Sequence, residues 1–178
     1  MFSLKKYIDS FNQISLANRI TLLRLALVPV CVLFLLVGMY GLAAVTFLFL
    51  SFSDALDGYI ARKYYQVSEI GKLLDPLADK ILVISVLIAL TGLGNANPVP
   101  VILICAREFI VASVRGQKIF AASPVAKWKT AVQILAVFMI MLNLPLAGLV
   151  LWIAVALSLV SGGAYLWQSE LIKQLKIS

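Results

Sequence analysis

The sequence predicts an all-α membrane protein: six transmembrane helices, an N-terminal amphipathic helix at the membrane interface, and both termini cytoplasmic. Three observations predict this class. Of the 178 residues 62% are hydrophobic, and the mean hydropathy is +1.02, more apolar surface than a soluble domain of this size can bury. The apolar residues gather into six stretches, each near the roughly 20 residues a helix needs to cross a bilayer. All fifteen Lys and Arg fall on one side of the six-span arrangement, and the opposite turns, Gly38–Gly41, Thr91–Asn97 and Leu144–Pro145, carry no charge. By the positive-inside rule the termini and the two longer loops face the cytoplasm. Almost nothing is left for a soluble domain, so residues 1–178 read as one membrane domain.

Each element has its own signal. Residues 2–16 place Leu4, Ile8 and Phe11 on one helical face and Lys5, Lys6, Asp9, Asn12 and Gln13 around the other, the pattern of an interfacial helix. A frayed polar tail is the alternative. The first span is expected over Arg19–Val37, where Pro29 should kink the helix or open it locally. Its basic flank superficially resembles a signal peptide, but the run has spanning length and lacks a small-residue cleavage site. No polar transit-like extension precedes it, so a bacterial cytoplasmic membrane is the expected location. The second and third spans are expected over Gly41–Lys63 and Leu74–Leu93. Asn97-Pro98 opens the fourth, Pro98–Gln117. Ser123-Pro124, a cap followed by proline at the first helical position, starts the fifth, Val125–Asn143. Ala147–Gln168 completes the set. Cys31 and Cys105 both lie inside spans, which suits small core residues rather than a disulfide. No segment has the composition of a nucleic-acid-binding region.

Against this background two segments stand out, DALDGYIAR at 54–62 and GKLLDPLAD at 71–79. They place Asp54, Asp57, Asp75 and Asp79 within 26 residues of an otherwise almost uncharged chain. A carboxylate at membrane depth costs about 2.5–3.5 kcal/mol on insertion scales, so four of them call for multivalent counter-charge. Asp54 and Asp57 are spaced i, i+3 and stand about 60° apart on a helix; Asp75 and Asp79, spaced i, i+4, stand about 40° apart. Two helix ends that each present two oxygen donors suit a hard cation such as Mg²⁺ or Mn²⁺. With no histidine in the chain, zinc chemistry is disfavoured and any proton acceptor is a carboxylate or a lysine. Gly58, Ala61 and Gly71 strip bulk from the helix faces nearest the acids, which suits close approach of a ligand or of another helix. The plainer reading makes Asp75 an N-cap before Pro76 and pairs Asp54 and Glu69 with Arg62, Lys63 or Lys72. It would satisfy one or two acids and leave four aligned ones unexplained.

The string Asp54-x-x-Asp57-Gly58-x-x-Ala61-Arg62, then eight residues, then Gly71-x-x-x-Asp75-x-x-x-Asp79, resembles the complete signature of the CDP-alcohol phosphatidyltransferases. Asn18-x-x-Thr21-x-x-Arg24 with Pro29 resembles that family's first span. The resemblance implies a cytoplasm-facing cavity that holds CDP-diacylglycerol and two divalent ions, Mg²⁺ or Mn²⁺. It implies that Asp54, Asp57 and Asp75 ligate the metals and that Asp79 is both ligand and general base. Asn18, Thr21, Gly58, Ala61, Arg62 and Gly71 would then serve the CDP-diacylglycerol, the small residues leaving room for cytidine. Arg62 would support the nucleotide end or brace the acids. A homodimer is also expected by resemblance.

The acceptor must be read from cations beyond the signature. Arg107-Glu108 followed by Arg115, with Lys127-x-Lys129-Thr130-x-x-Gln133, resembles the branch of the family that uses glycerol 3-phosphate. Several cations around one pocket suit an acceptor with its own phosphate, so Arg107, Arg115, Lys127 and Lys129 are expected on glycerol 3-phosphate. Glu108 is expected to orient Arg115, seven residues on along one face. Lys127 and Lys129 stand about 200° apart on an ideal helix, so both are not expected to reach one pocket unless Lys127 precedes the helix. Three alternatives stand beside this reading: cations that only snorkel at helix ends, the same chemistry with inositol phosphate, and a cation transporter built on the aspartates. Against the transporter, the polar residues keep to one membrane face.

Overall fold

The computed structural model describes residues 16–63, 69–115 and 124–168, with side chains described over 21–53, 80–113 and 128–163. Among the described residues there are six α-helices and no strand: α1 (Leu16–Leu36), α2 (Tyr40–Lys63), α3 (Glu69–Gly92), α4 (Pro98–Arg115), α5 (Pro124–Met141) and α6 (Ala147–Gln168). The expected interfacial helix at 2–16 falls almost wholly outside them. Among the described residues no helix is long and apolar enough to cross a membrane.

The chain divides into two compact units, Met1–Ser85 and Val86–Ser178. In the first, α1 packs on α2. Val28, Cys31 and Leu35 recur along α1 at three- and four-residue spacing and are buried, as are Ala43, Ala44, Phe47 and Leu50 of α2, the narrow stripe of a tightly paired helix. The Cys31 thiol lies 3.5 Å from the Ala43 carbonyl, and both cysteines are free. In the second unit, α6 packs against both α4 and α5. Leu151, Ala154 and Val155 of α6, Val101 and Ile104 of α4, and Ala136, Val137, Ile140 and Met141 of α5 are buried there.

The three uncharged turns share one device. Gly38, Gly94 and Asn143 take φ of 79°, 77° and 51°. Each amide bonds the carbonyl three residues back (Leu35, Thr91 and Ile140), and the next amide bonds the carbonyl five back (Phe34, Leu90 and Met139). This Schellman closure satisfies the last carbonyls of α1, α3 and α5 with no polar side chain. Glycine, or asparagine, is needed because other side chains rarely tolerate that conformation.

Helix ends differ from expectation in instructive ways. Asn97 caps α4, its Oδ1 accepting from the Val99 amide at 2.9 Å, as the Asn97-Pro98 pair predicts. Pro29 lies inside an unbroken α1 on its exposed side. The third helix begins at Glu69, five residues before the apolar run at Leu74. Its first turn, Glu69-Ile70-Gly71-Lys72, carries two charges and a glycine, so hydropathy marks only the part that follows. Asp75 and Pro76 therefore sit in the interior of α3, which overturns the reading of Asp75 as an N-cap.

Candidate active site

The buried stripes of α1, α2 and α3 change character along their length. On α1 the apolar set Val28, Cys31 and Leu35 continues towards the N-terminus as Arg24 and Thr21, each only 2% exposed. On α2 the register of Phe47 and Leu50 runs on, at alternating spacings of four and three, through Asp54, Asp57 and Ala61. On α3 the register of Leu82, Val86 and Leu90 runs back through Asp79 and Asp75. All four aspartates thus occupy helical positions in register with buried stripes. They lie on the last three turns of α2 and the first three of α3, separated by residues 64–68. An all-oxygen donor set of two pairs on two such helix ends fits hard divalent cations. Among the described residues no group of three or more acidic, cysteine or histidine side chains could hold a metal; the four aspartate side chains lie outside them. So do the side chains of Asn18, Gly58, Ala61, Arg62 and Gly71, although their backbones are helical.

The second unit builds a different constellation, towards the C-terminal ends of α4 and α6 and the N-terminal half of α5. Arg107 and Glu108 of α4, Lys129 and Gln133 of α5, and Ser158 and Ser161 of α6 are all buried polar residues. Arg107 is held on three sides. Its Nε donates to the Ser158 carbonyl at 2.8 Å, Nη2 to Ser161 Oγ at 2.6 Å and Nη1 to Glu108 Oε1 at 3.0 Å. The same Glu108 oxygen accepts from Lys129 Nζ. One carboxylate thus draws together two cations from separate helices and ties α4 to α5, while the serines tie α4 to α6. Glu108 and Lys129 have further interactions besides these.

Of the four cations expected on the acceptor, the structure brings Arg107 and Lys129 together. Arg115 ends α4 and Lys127 lies in the first turn of α5, both with side chains outside the described residues. The expected link from Glu108 to Arg115 therefore lies outside them too, and the partners seen for Glu108 are Arg107 and Lys129. Sequence reasoning missed Ser158, Ser161 and Gly162. Their signal was available: two serines at i, i+3 and a glycine, on one face of an otherwise apolar helix. The Gln133 side-chain nitrogen is buried without a hydrogen-bond partner, one turn beyond Lys129 on the same stripe.

Residues 14–160 match the CDP-alcohol phosphatidyltransferase family. A CDP-diacylglycerol–glycerol-3-phosphate 3-phosphatidyltransferase of Rickettsia bellii is 37% identical, over 85% of this chain and 93% of its own. The Bacillus subtilis protein of the same name shows the same identity and coverage. A probable phosphatidylglycerophosphate synthase of Mycobacterium tuberculosis is also 37% identical, over 85% of this chain and 79% of its own.

Proposed function

The chain belongs to the CDP-alcohol phosphatidyltransferase family, and from that premise we propose that it moves a phosphatidyl group from CDP-diacylglycerol to sn-glycerol 3-phosphate, giving phosphatidylglycerophosphate and CMP. The observation that carries the acceptor is the agreement of two independent lines. Relatives named for glycerol 3-phosphate match 85% of the chain, and the second unit buries Arg107 and Lys129 around a single carboxylate. That unit holds seven Lys and Arg against two acids, Glu108 and Glu170, a balance suited to an anionic acceptor.

In this reading Asp54, Asp57, Asp75 and Asp79 would hold two divalent ions. When bound, the ions neutralise charge on the diphosphate and on the leaving CMP. The chain's own groups do the rest. Asn18, Thr21, Gly58, Ala61, Arg62 and Gly71 seat the nucleotide end. Arg107, Arg115 and Lys129 hold the acceptor phosphate, with Glu108 spacing the cations; Lys127, on the same helix as Lys129 but about 200° round it, stands away from that pocket. Asp79 takes the proton from the acceptor hydroxyl as its oxygen forms a bond to the phosphorus bearing diacylglycerol and the bond to CMP breaks. Alignment of the reacting atoms and fixed charge supply most of the acceleration.

The protein is proposed to sit in a bacterial cytoplasmic membrane as six spans, with termini and site on the cytoplasmic side, as a homodimer. Large apolar side chains exposed along the helices, including Leu23, Leu33, Val45, Phe49, Ile102, Phe109 and Trp152, support lipid contact, since a soluble surface rarely carries so many.

The test is CMP release by purified protein in detergent with CDP-diacylglycerol, Mg²⁺ or Mn²⁺, and one acceptor at a time. Turnover with glycerol 3-phosphate, absent in Asp79→Asn, is the expected result. A preference for inositol phosphate would keep the chemistry and replace the acceptor. Metal transport without CMP release would replace the reaction itself.

A further inference from the structure

We propose that Ser158, Ser161 and Gly162 of α6 form a positioning cradle that sets Arg107, and through Glu108 also Lys129, to receive the phosphate of the acceptor. The inference rests on the function proposed above and adds a helix that the signature motifs do not touch.

Arg107 carries five N–H donors in a rigid plane. Three are spent, on the Ser158 carbonyl at 2.8 Å, Ser161 Oγ at 2.6 Å and Glu108 Oε1 at 3.0 Å. Two remain for an anion. A guanidinium already fixed at three points has little freedom left to lose when the anion arrives. Ser161 is itself oriented: its hydroxyl donates to the Ser158 carbonyl at 3.1 Å, which leaves its lone pairs for Arg107. The Ser158 carbonyl, part of the α6 ladder, therefore also accepts from Arg107 and from Ser161.

Gly162 is the condition for this arrangement. A Cβ there would lie 2.9 Å from Arg107 Nε, 3.1 Å from Cγ and 3.6 Å from Cδ. The guanidinium reaches the carbonyl of Ser158 only because the residue one turn later has no side chain. The atoms in the way are Nε and the stem of Arg107, so an added methyl forces Arg107 to shift and strains or breaks the bonds that hold it. The neighbouring Gly163 has open space around its Cβ position and serves as the matched control.

The experiment measures KM for glycerol 3-phosphate, KM for CDP-diacylglycerol and kcat in Gly162→Ala, Ser161→Ala, Ser161→Thr and Gly163→Ala. A lost hydrogen bond to a charged group amounts to about a tenfold change or more. Gly162→Ala and Ser161→Ala should raise KM for glycerol 3-phosphate by about that factor, with KM for CDP-diacylglycerol and kcat within about twofold. Ser161→Thr keeps the hydroxyl and should return near wild type, and Gly163→Ala should match wild type. Equal changes in both KM values, a fall in kcat alone, or Ser161→Thr no better than Ser161→Ala would overturn the cradle. If Gly162→Ala does not fold, the two Ser161 variants decide. The wild-type acceptor preference tests the underlying reading separately. With another phosphorylated acceptor the same ratios judge the cradle, and an acceptor without phosphate overturns it.

Discussion

Asp54 and Asp57 in the first unit and Arg107 and Lys129 in the second fall in register with the buried stripes of their helices, but they carry opposite charge. Of the eight acids only Glu108 and Glu170 lie beyond Ser85. In both units the stripes are apolar towards the Schellman turns and polar towards the other end. What differs is how charge is balanced. The second unit supplies part of its own counter-charge, Glu108 between Arg107 and Lys129. The first concentrates four aspartates for which cations from outside the chain are the proposed partners. Acids that need added cations suit chemistry at a diphosphate; cations held by a built-in carboxylate suit binding of an anion.

The sharpest way to break this comparison is to ask which kinetic constant each unit controls. Asp57→Asn and Asp79→Asn should lower kcat by about 10³-fold or more, the range of a lost general base or metal ligand, and leave the melting temperature near wild type. Chelator should abolish CMP release, and Mg²⁺ or Mn²⁺ should restore it. An acid variant that raised only the acceptor KM would erase the division between the units. The next largest effect is expected on stability. Glu108→Gln leaves two buried cations without the carboxylate they share, a change that costs about 3–5 kcal/mol for buried pairs. Its melting temperature should fall by several degrees and recover partly when glycerol 3-phosphate is added. No recovery would mean that the cations serve packing alone. Gln133→Leu should act in the reverse sense. It removes a buried amide nitrogen that has no partner, a group that costs about 1–3 kcal/mol, so the melting temperature should rise.

The helices were legible in the sequence wherever apolar runs end at glycine, asparagine or proline, as at Gly38, Asn97-Pro98 and Pro124. They were not legible where a helix is amphipathic beyond its apolar part. Glu69–Lys72 extend α3 with a turn of two charges, a glycine and one isoleucine, and hydropathy alone cannot separate such a turn from a loop. The acids of the candidate site were legible because four carboxylates in a 62% hydrophobic chain demand a reason. The cation network was legible only by residue. Arg107 and Lys129 could be named, but their meeting at Glu108 depends on how three helices pack, which no spacing within one helix encodes. Ser158 and Ser161 escaped because serines hydrogen-bond to their own helix routinely, and only the approach of Arg107 gives them a role.

The smallest expected effect separates the turn ends from the charged ends. Gly38 and Gly163 both have open space where a Cβ would stand, so neither substitution creates a clash. Gly38 takes φ 79°, whereas Gly163 lies within α6. Gly38→Ala forces a side chain into the left-handed region and should cost about 1–2 kcal/mol. Gly163→Ala removes a flexible residue from a helix interior and should gain up to about 1 kcal/mol. Thermal melts in detergent should therefore move in opposite directions, with both KM values and kcat unchanged in each. Altered kinetics in Gly38→Ala would mean that the apolar turns are coupled to the charged ends through the helices, and that the division of labour along each helix is not real.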